Sequence, residues 1–138
     1  MANKVFFLIA FALLFCFSQG GNGQTTRCNL SNIGINQTRT GVLVNGVDEY
    51  AVVISNNCAC PQSSVLLKCA GFSTVENVDP SLFKPVGDDQ CSVNNGRPLV
   101  QGSPITFNYA WASPQVFLPA GSVINCPSSR IKPFKQED

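Results

Sequence analysis

Histidine is missing from all 138 residues, and charge is scarce: Lys and Arg number 9 and Asp and Glu 8, so charged residues make up 12% of the chain and the formal charge is +1. Without an imidazole there is no Ser-His-Asp or Cys-His catalytic arrangement and no His-ligated metal centre. Without a basic stripe there is no electrostatic footprint for nucleic acid. No C-x-x-C occurs, which removes the usual thiol-redox motif. The single C-x-C, Cys58-Ala59-Cys60, lacks the second pair that a structural zinc site uses. These absences predict a protein that is not an enzyme and needs no cofactor or metal.

Long apolar runs are also lacking beyond the start of the chain. Val5–Phe17 is apolar over 13 residues, short of the roughly 20 that a membrane span needs. Preceded by Lys4 and followed by the small residues of Ser18-Gln19-Gly20, it predicts a signal peptide over residues 1–23, with the boundary at about 20–23. The mature chain is then expected to be secreted, with no membrane insertion. Loss of Lys4 leaves 8 basic against 8 acidic residues.

Cysteine is what the chain has in quantity. Cys16 lies in the signal peptide, and Cys28, Cys58, Cys60, Cys69, Cys91 and Cys126 remain. An even set in an exported chain argues for three disulfides. Six cysteines permit fifteen pairings; excluding a strained ring between Cys58 and Cys60 leaves twelve. Two glycosylation sequons, Asn29-Leu30-Ser31 and Asn36-Gln37-Thr38, stand near the mature N-terminus.

Between the cysteines the chain reads as short strands separated by turns. An extended stretch begins at Ile33-Gly34-Ile35 and reaches Thr40. Val42-Leu43-Val44 then meets Asn45-Gly46, a strong hairpin signal. Val47–Ser55 follows, with Tyr50, Val52 and Ile54 on one face and Glu49, Val53 and Ser55 on the other. Val65–Cys69, Ile105–Trp111 and Val123–Cys126 complete the set, with Gln115–Leu118 a further segment. Three loops separate them: Asn56–Ser64, Ser73–Gln90 and Asn94–Pro104. Within the second, Val78–Phe83 predicts a helical turn or a cover over the core. The expected fold is all-β, a small disulfide-stapled β-sandwich. Residues 24–127 form one cysteine-rich domain and residues 128–138 a mobile polar tail.

Phe107, Tyr109 and Trp111 alternate with smaller residues and place three rings on one strand face. Buried, they are core, which is the expected case; exposed, Tyr109 and Trp111 could stack on sugars as a carbohydrate platform. Asp88-Asp89 could be compared with a metal–nucleotide-binding pair, but in Gly-Asp-Asp-Gln it predicts a solvated turn. Asp48-Glu49 and Glu76 with Asp79 are expected to be surface charges.

Read in order, Cys28–Thr38, Val52–Cys60 (V-V-I-S-N-N-C-A-C), Val65–Pro80 (V-L-L-K-C-A-G-F-S-T-V-E-N-V-D-P), Cys91–Leu99, Phe107–Trp111 and Val123–Cys126 form one pattern. It resembles the plant tapetum determinant family of small secreted cysteine-rich proteins. The joint run N-x-C-x-C, C-x-G-F and V-D-P is the specific part, and all six mature cysteines fall within it. The resemblance implies an extracellular, apoplastic signalling protein and a leucine-rich repeat receptor kinase ectodomain as partner, acting in cell-fate specification of the anther and tapetum. Contacts are then expected among the Asn56–Ser64 and Ser73–Gln90 loops and the tail. A cell-wall carbohydrate-binding module without catalysis is the alternative.

Overall fold

The structure, a computed structural model, describes residues 27–127. The predicted signal peptide with Cys16, and the predicted tail over residues 128–138, lie outside the described residues. Seven strands follow in chain order: β1 (Ile33–Val44), β2 (Val47–Asn56), β3 (Gln62–Lys68), β4 (Phe83–Gly87), β5 (Gln90–Val93), β6 (Ile105–Ala110) and β7 (Leu118–Ile124). They form two sheets, β1-β2-β6 and β4-β5-β3-β7, with every pair antiparallel. The two inner faces enclose one core, and the all-β fold class holds.

Local chemistry explains the hairpins. Asn45 and Gly46 take φ of 50° and 82°, the left-handed pair that a two-residue turn needs to match strand twist. Asp88 and Asp89 do the same at φ 53° and 57° between β4 and β5. The Asp pair is thus a solvated turn, but the turn of a hairpin inside what the sequence presents as the loop Ser73–Gln90. Pro85 hides β4 from sequence reading, as Pro119 and Gly121 hide most of β7. Both prolines sit on edge strands, where a missing N–H costs no ladder bond.

β3 begins at Gln62, ahead of the expected Val65, because Ser64 at φ 51° accommodates a bulge opposite β7. The bulge resets the alternation, so Gln62, Val65 and Leu67 all face inward, each at 0% exposure. On β2 the expected inner face is confirmed, with Tyr50, Val52 and Ile54 buried.

Aromatic rings fill the centre. Phe83 stacks on Phe107 at 4.5 Å and Tyr50 on Tyr109 at 5.3 Å, while Phe72 and Phe117 pack against their edges. Three disulfides fasten the ends of neighbouring strands: Cys28–Cys58 beside β1 and β2, Cys60–Cys126 beside β3 and β7, and Cys69–Cys91 between β3 and β5, with Cα separations of 5.6, 4.6 and 5.9 Å. Beside the first two lies a buried polar knot. Asn56 Nδ2 donates to the Cys60 and Leu99 carbonyls at 2.8 and 3.0 Å, and its Oδ1 accepts from Cys58 N at 3.1 Å. Gln62 Nε2 donates to Asn56 Oδ1 and to the Asn29 carbonyl, while Ser122 Oγ donates to Gln62 Oε1 at 2.6 Å. Paired this completely, buried amides specify a single arrangement of the chain crossing between the sheets.

Candidate functional site

Two clefts are built on the chain between β3 and β4. Cys69, locked to Cys91, starts a turn in which Phe72 N donates to the Cys69 carbonyl at 3.0 Å and Gly71 takes φ 68°. That conformation suits glycine at the third position of a type II turn. The turn drives Phe72 into the core, within 5.2–5.7 Å of the Phe83, Tyr109 and Phe117 rings. The chain then leaves the core as a strap along the open edge of β6. Val75 N donates to the Ala110 carbonyl at 2.9 Å, and Ala110 N donates to Thr74 Oγ1 at 3.1 Å. Thr74 Oγ1 also donates to the Glu76 carbonyl and accepts from Glu76 N.

The strap returns through a second locked turn. Asp79 Oδ1 accepts from Ser81 N and Ser81 Oγ at 2.9 and 2.8 Å, and the Asp79 carbonyl accepts from Leu82 N and Phe83 N. These bonds to its ionised form, with help from Arg97, hold the Asp79 carboxyl below its ordinary 3.8. The expected helical turn is this one, and it ends by delivering Phe83 to the core.

Two open clefts flank the strap. One, of about 360 Å³, is lined by Glu76, Asn77, Asp79, Thr106 and Asn108 with Val78 and Leu82 at its base. The other, of about 350 Å³, lies between Phe72–Thr74 and Pro80, Lys84 and Pro85. The first carries two carboxylates beside two amides and a hydroxyl that can both donate and accept. Its carboxylates fit donor-rich side chains such as Arg or Lys.

Of the four acids expected as surface charges, Asp48 and Asp79 are engaged locally, and Glu49 departs from the expectation by being buried. Asp48 lies 3.6 Å from Arg39 at the surface, and Asp79 is taken up by Ser81. The structure instead brings Glu49 of β2 to Glu76 of the strap. Glu49 shares the outward face with Val53 and Ser55, yet it is only 8% exposed because the strap covers it. Its Oε1 accepts from Thr40 Oγ1 at 2.8 Å. Desolvation raises the Glu76 carboxyl above its ordinary 4.5, and the hydrogen bond and charge of Glu49 add to the rise. Nothing in the local sequence signals this meeting, since the covering residue is 27 positions away.

The carbohydrate platform is corrected. Tyr109 is fully buried; its phenol donates to Gln37 Oε1 and accepts from Gln115 N at 2.8 Å, with its titration pushed up by burial. Trp111 is half-buried against the core. With Tyr109 buried, the two do not form a joint exposed platform. Of the sequon residues, Asn36 is exposed on β1, and Asn29 is exposed with its Oδ1 accepting from Ser31 N and Ser31 Oγ. The Sγ atoms of Cys28, Cys60 and Cys126 lie within 4.8 Å of one another, but all three are in disulfides and offer no thiolate to a metal.

The family profile described as Tapetum determinant 1, C-terminal, matches residues 29–126, which includes both clefts, five of the six described cysteines and every strand. This chain belongs to the tapetum determinant 1 family. Curated relatives include the TPD1 protein homolog 1A of Oryza sativa subsp. japonica, 36% identical over 91 residues, and the TPD1 protein homolog 1 of Arabidopsis thaliana, 36% identical over 85. Each alignment takes in 60% of this chain but only 40% and 48% of the respective relative, so the chain spans less than half the length of either. An uncharacterized Arabidopsis thaliana protein is 29% identical over 113 residues, 80% of this chain and 87% of that protein. No solved structure matches.

Seen in the fold, the tapetum determinant motifs are scaffold. N-x-C-x-C supplies the Asn56 knot and two disulfide arms, C-x-G-F makes the turn that plants Phe72, and V-D-P forms the Asp79 turn that plants Phe83. Each motif fixes one end of something: the knot holds the sheets' crossing, and the other two hold the ends of the strap. The exposed strap residues Asn77 and Val75 lie between those anchors.

Proposed function

We propose that this protein is a secreted, cysteine-rich signalling ligand that acts by surface recognition, without catalysis, on the ectodomain of a leucine-rich repeat receptor kinase. The observation that carries this reading is membership of the tapetum determinant 1 family across residues 29–126. The three disulfides suit an oxidising, extracellular setting. No helix among the described residues is long and apolar enough to cross a membrane, which fits the same setting. A strap anchored at both ends keeps its binding groups ordered before the partner arrives, which lowers the entropy lost on association. Its carboxylate-bearing cleft suits a receptor surface that contributes Arg or Lys side chains.

Direct binding tests the reading. The oxidised protein is immobilised and titrated with a panel of plant leucine-rich repeat ectodomains, with cell-wall oligosaccharides in parallel. Saturable binding to one ectodomain, lost on disulfide reduction and weakened by Glu76→Ala with Asp79→Ala, is the expected result. Binding to oligosaccharides alone overturns it.

A further inference from the structure

Glu76 lines the cleft of the recognition reading, but its meeting with the buried Glu49 is a feature that reading does not use. β2 pairs Glu49 with Ala110 of β6, and the strap bonds to both the N–H and the carbonyl of that same Ala110. Glu76, the next residue along the strap, is thereby laid over Glu49. Its Oε2 is closed to solvent and has no hydrogen-bonding donor among the described residues. A proton on Glu76 turns its repulsion with the neighbouring Glu49 carboxylate into a hydrogen bond. We propose that Glu76 keeps a proton and donates it to Glu49, forming an acid-stabilised clasp that holds the strap on the edge of β6 and lets it go as Glu76 ionises.

The surroundings supply no competing charge. From β1 comes the neutral Thr40 hydroxyl, while Arg39 is drawn to Asp48 and Tyr50. β2 contributes Glu49 itself, with Asp48 occupied by Arg39. From β6 come Ala110 and Asn108, Tyr109 being turned into the core. On the strap, Asp79 is satisfied by Ser81 and lies nearer Arg97. Because the Glu76 carboxyl is raised, the folded strap holds more protons than a released one at pH above the ordinary 4.5. Its stability is therefore full below that pH and declines as pH rises through the folded value.

This device is independent of any receptor, and hydrogen exchange on the oxidised protein reads it. Protection of the Val75, Glu76 and Ala110 amides, corrected for intrinsic exchange, is followed from about pH 4.5 to 8 against β2 amides as the internal reference. The expected result is a selective loss of protection by up to about tenfold per pH unit within the titration, since one proton is linked to opening. Glu76→Gln, whose amide donates to Glu49 as the Glu76 proton does, keeps the strap protected throughout and flattens the profile. Should that variant fold poorly, a ¹³C titration of the Glu carboxyls in the unmodified protein decides: one resonance must titrate above the ordinary range. Equal pH dependence of strap and β2 amides overturns the clasp. So does a pH profile abolished by millimolar calcium, which would make the pair a cation site instead.

Discussion

At the scale of single residues, the sequence's own vocabulary marks scaffold more clearly than surface. Asn56 satisfies two carbonyls and one N–H that no water reaches, so its loss strands several buried groups at once. Asn56→Ala is expected to cost at least about 1–3 kcal/mol, read as a lower midpoint in urea unfolding with an unchanged slope. Gly71 carries the same weight for a different reason. At φ 68° a Cβ meets no neighbour, so Gly71→Ala tests backbone strain alone, and a loss of about 1 kcal/mol or slightly more is expected. A neutral Gly71→Ala would mean the turn relaxes to another type. Asn56 was visible in the sequence only as the first letter of N-x-C-x-C; its burial was not, because an amide beside a loop ordinarily faces water.

At the scale of elements, the strap is held by few but well-placed bonds. Thr74→Val removes the hydroxyl that Ala110 N and Glu76 N both donate to, leaving a buried N–H unpaired. The expected effect is about 1–2 kcal/mol of destabilisation. It should appear first as faster exchange of the strap amides, with the amides of β3 unaffected until global unfolding. Two acids of the strap also answer acid with opposite sign. The Asp79 turn depends on a depressed carboxyl, so its contribution is present above the ordinary 3.8 and is lost as pH falls through the folded value. Glu76 behaves the other way. The strap is accordingly expected to be most protected between those two titrations, and a monotonic pH profile would contradict one of them. Elements that the sequence hid share one cause: β4 and β7 contain Pro85 and Pro119, which read as breakers until the topology shows both to be sheet edges.

For the whole molecule, the disulfides are ranked by the loops they close. Cys60–Cys126 spans 66 residues and Cys69–Cys91 spans 22. Loop-closure entropy makes removal of the longer bridge costlier by about 1 kcal/mol, on a base of about 2–4 kcal/mol for each. Thermal unfolding of Cys60→Ala/Cys126→Ala beside Cys69→Ala/Cys91→Ala checks the order. The longer bridge also anchors Cys60, whose carbonyl accepts from Asn56, so its loss is expected to expose the Asn56–Gln62 knot to exchange. If the shorter bridge proves the more important, native packing around Cys69 and Phe72 outweighs chain entropy.

The sequence by itself determined the all-β class, the shared face of Tyr50, Val52 and Ile54 on β2, the Asn45-Gly46 hairpin and the set of cysteines, because alternation, turn residues and cysteine count are local facts. It also carried the tapetum determinant motifs. Only the tertiary structure decided the disulfide pairing, the burial of Tyr109, the bulge that turns Gln62 inward and the meeting of Glu49 with Glu76. Each of these depends on which distant segment covers which face. A residue's neighbours in the chain fix its direction along a strand, but whether that direction ends in water or in protein is set by a strap, a second sheet or a partner cysteine that arrives from elsewhere.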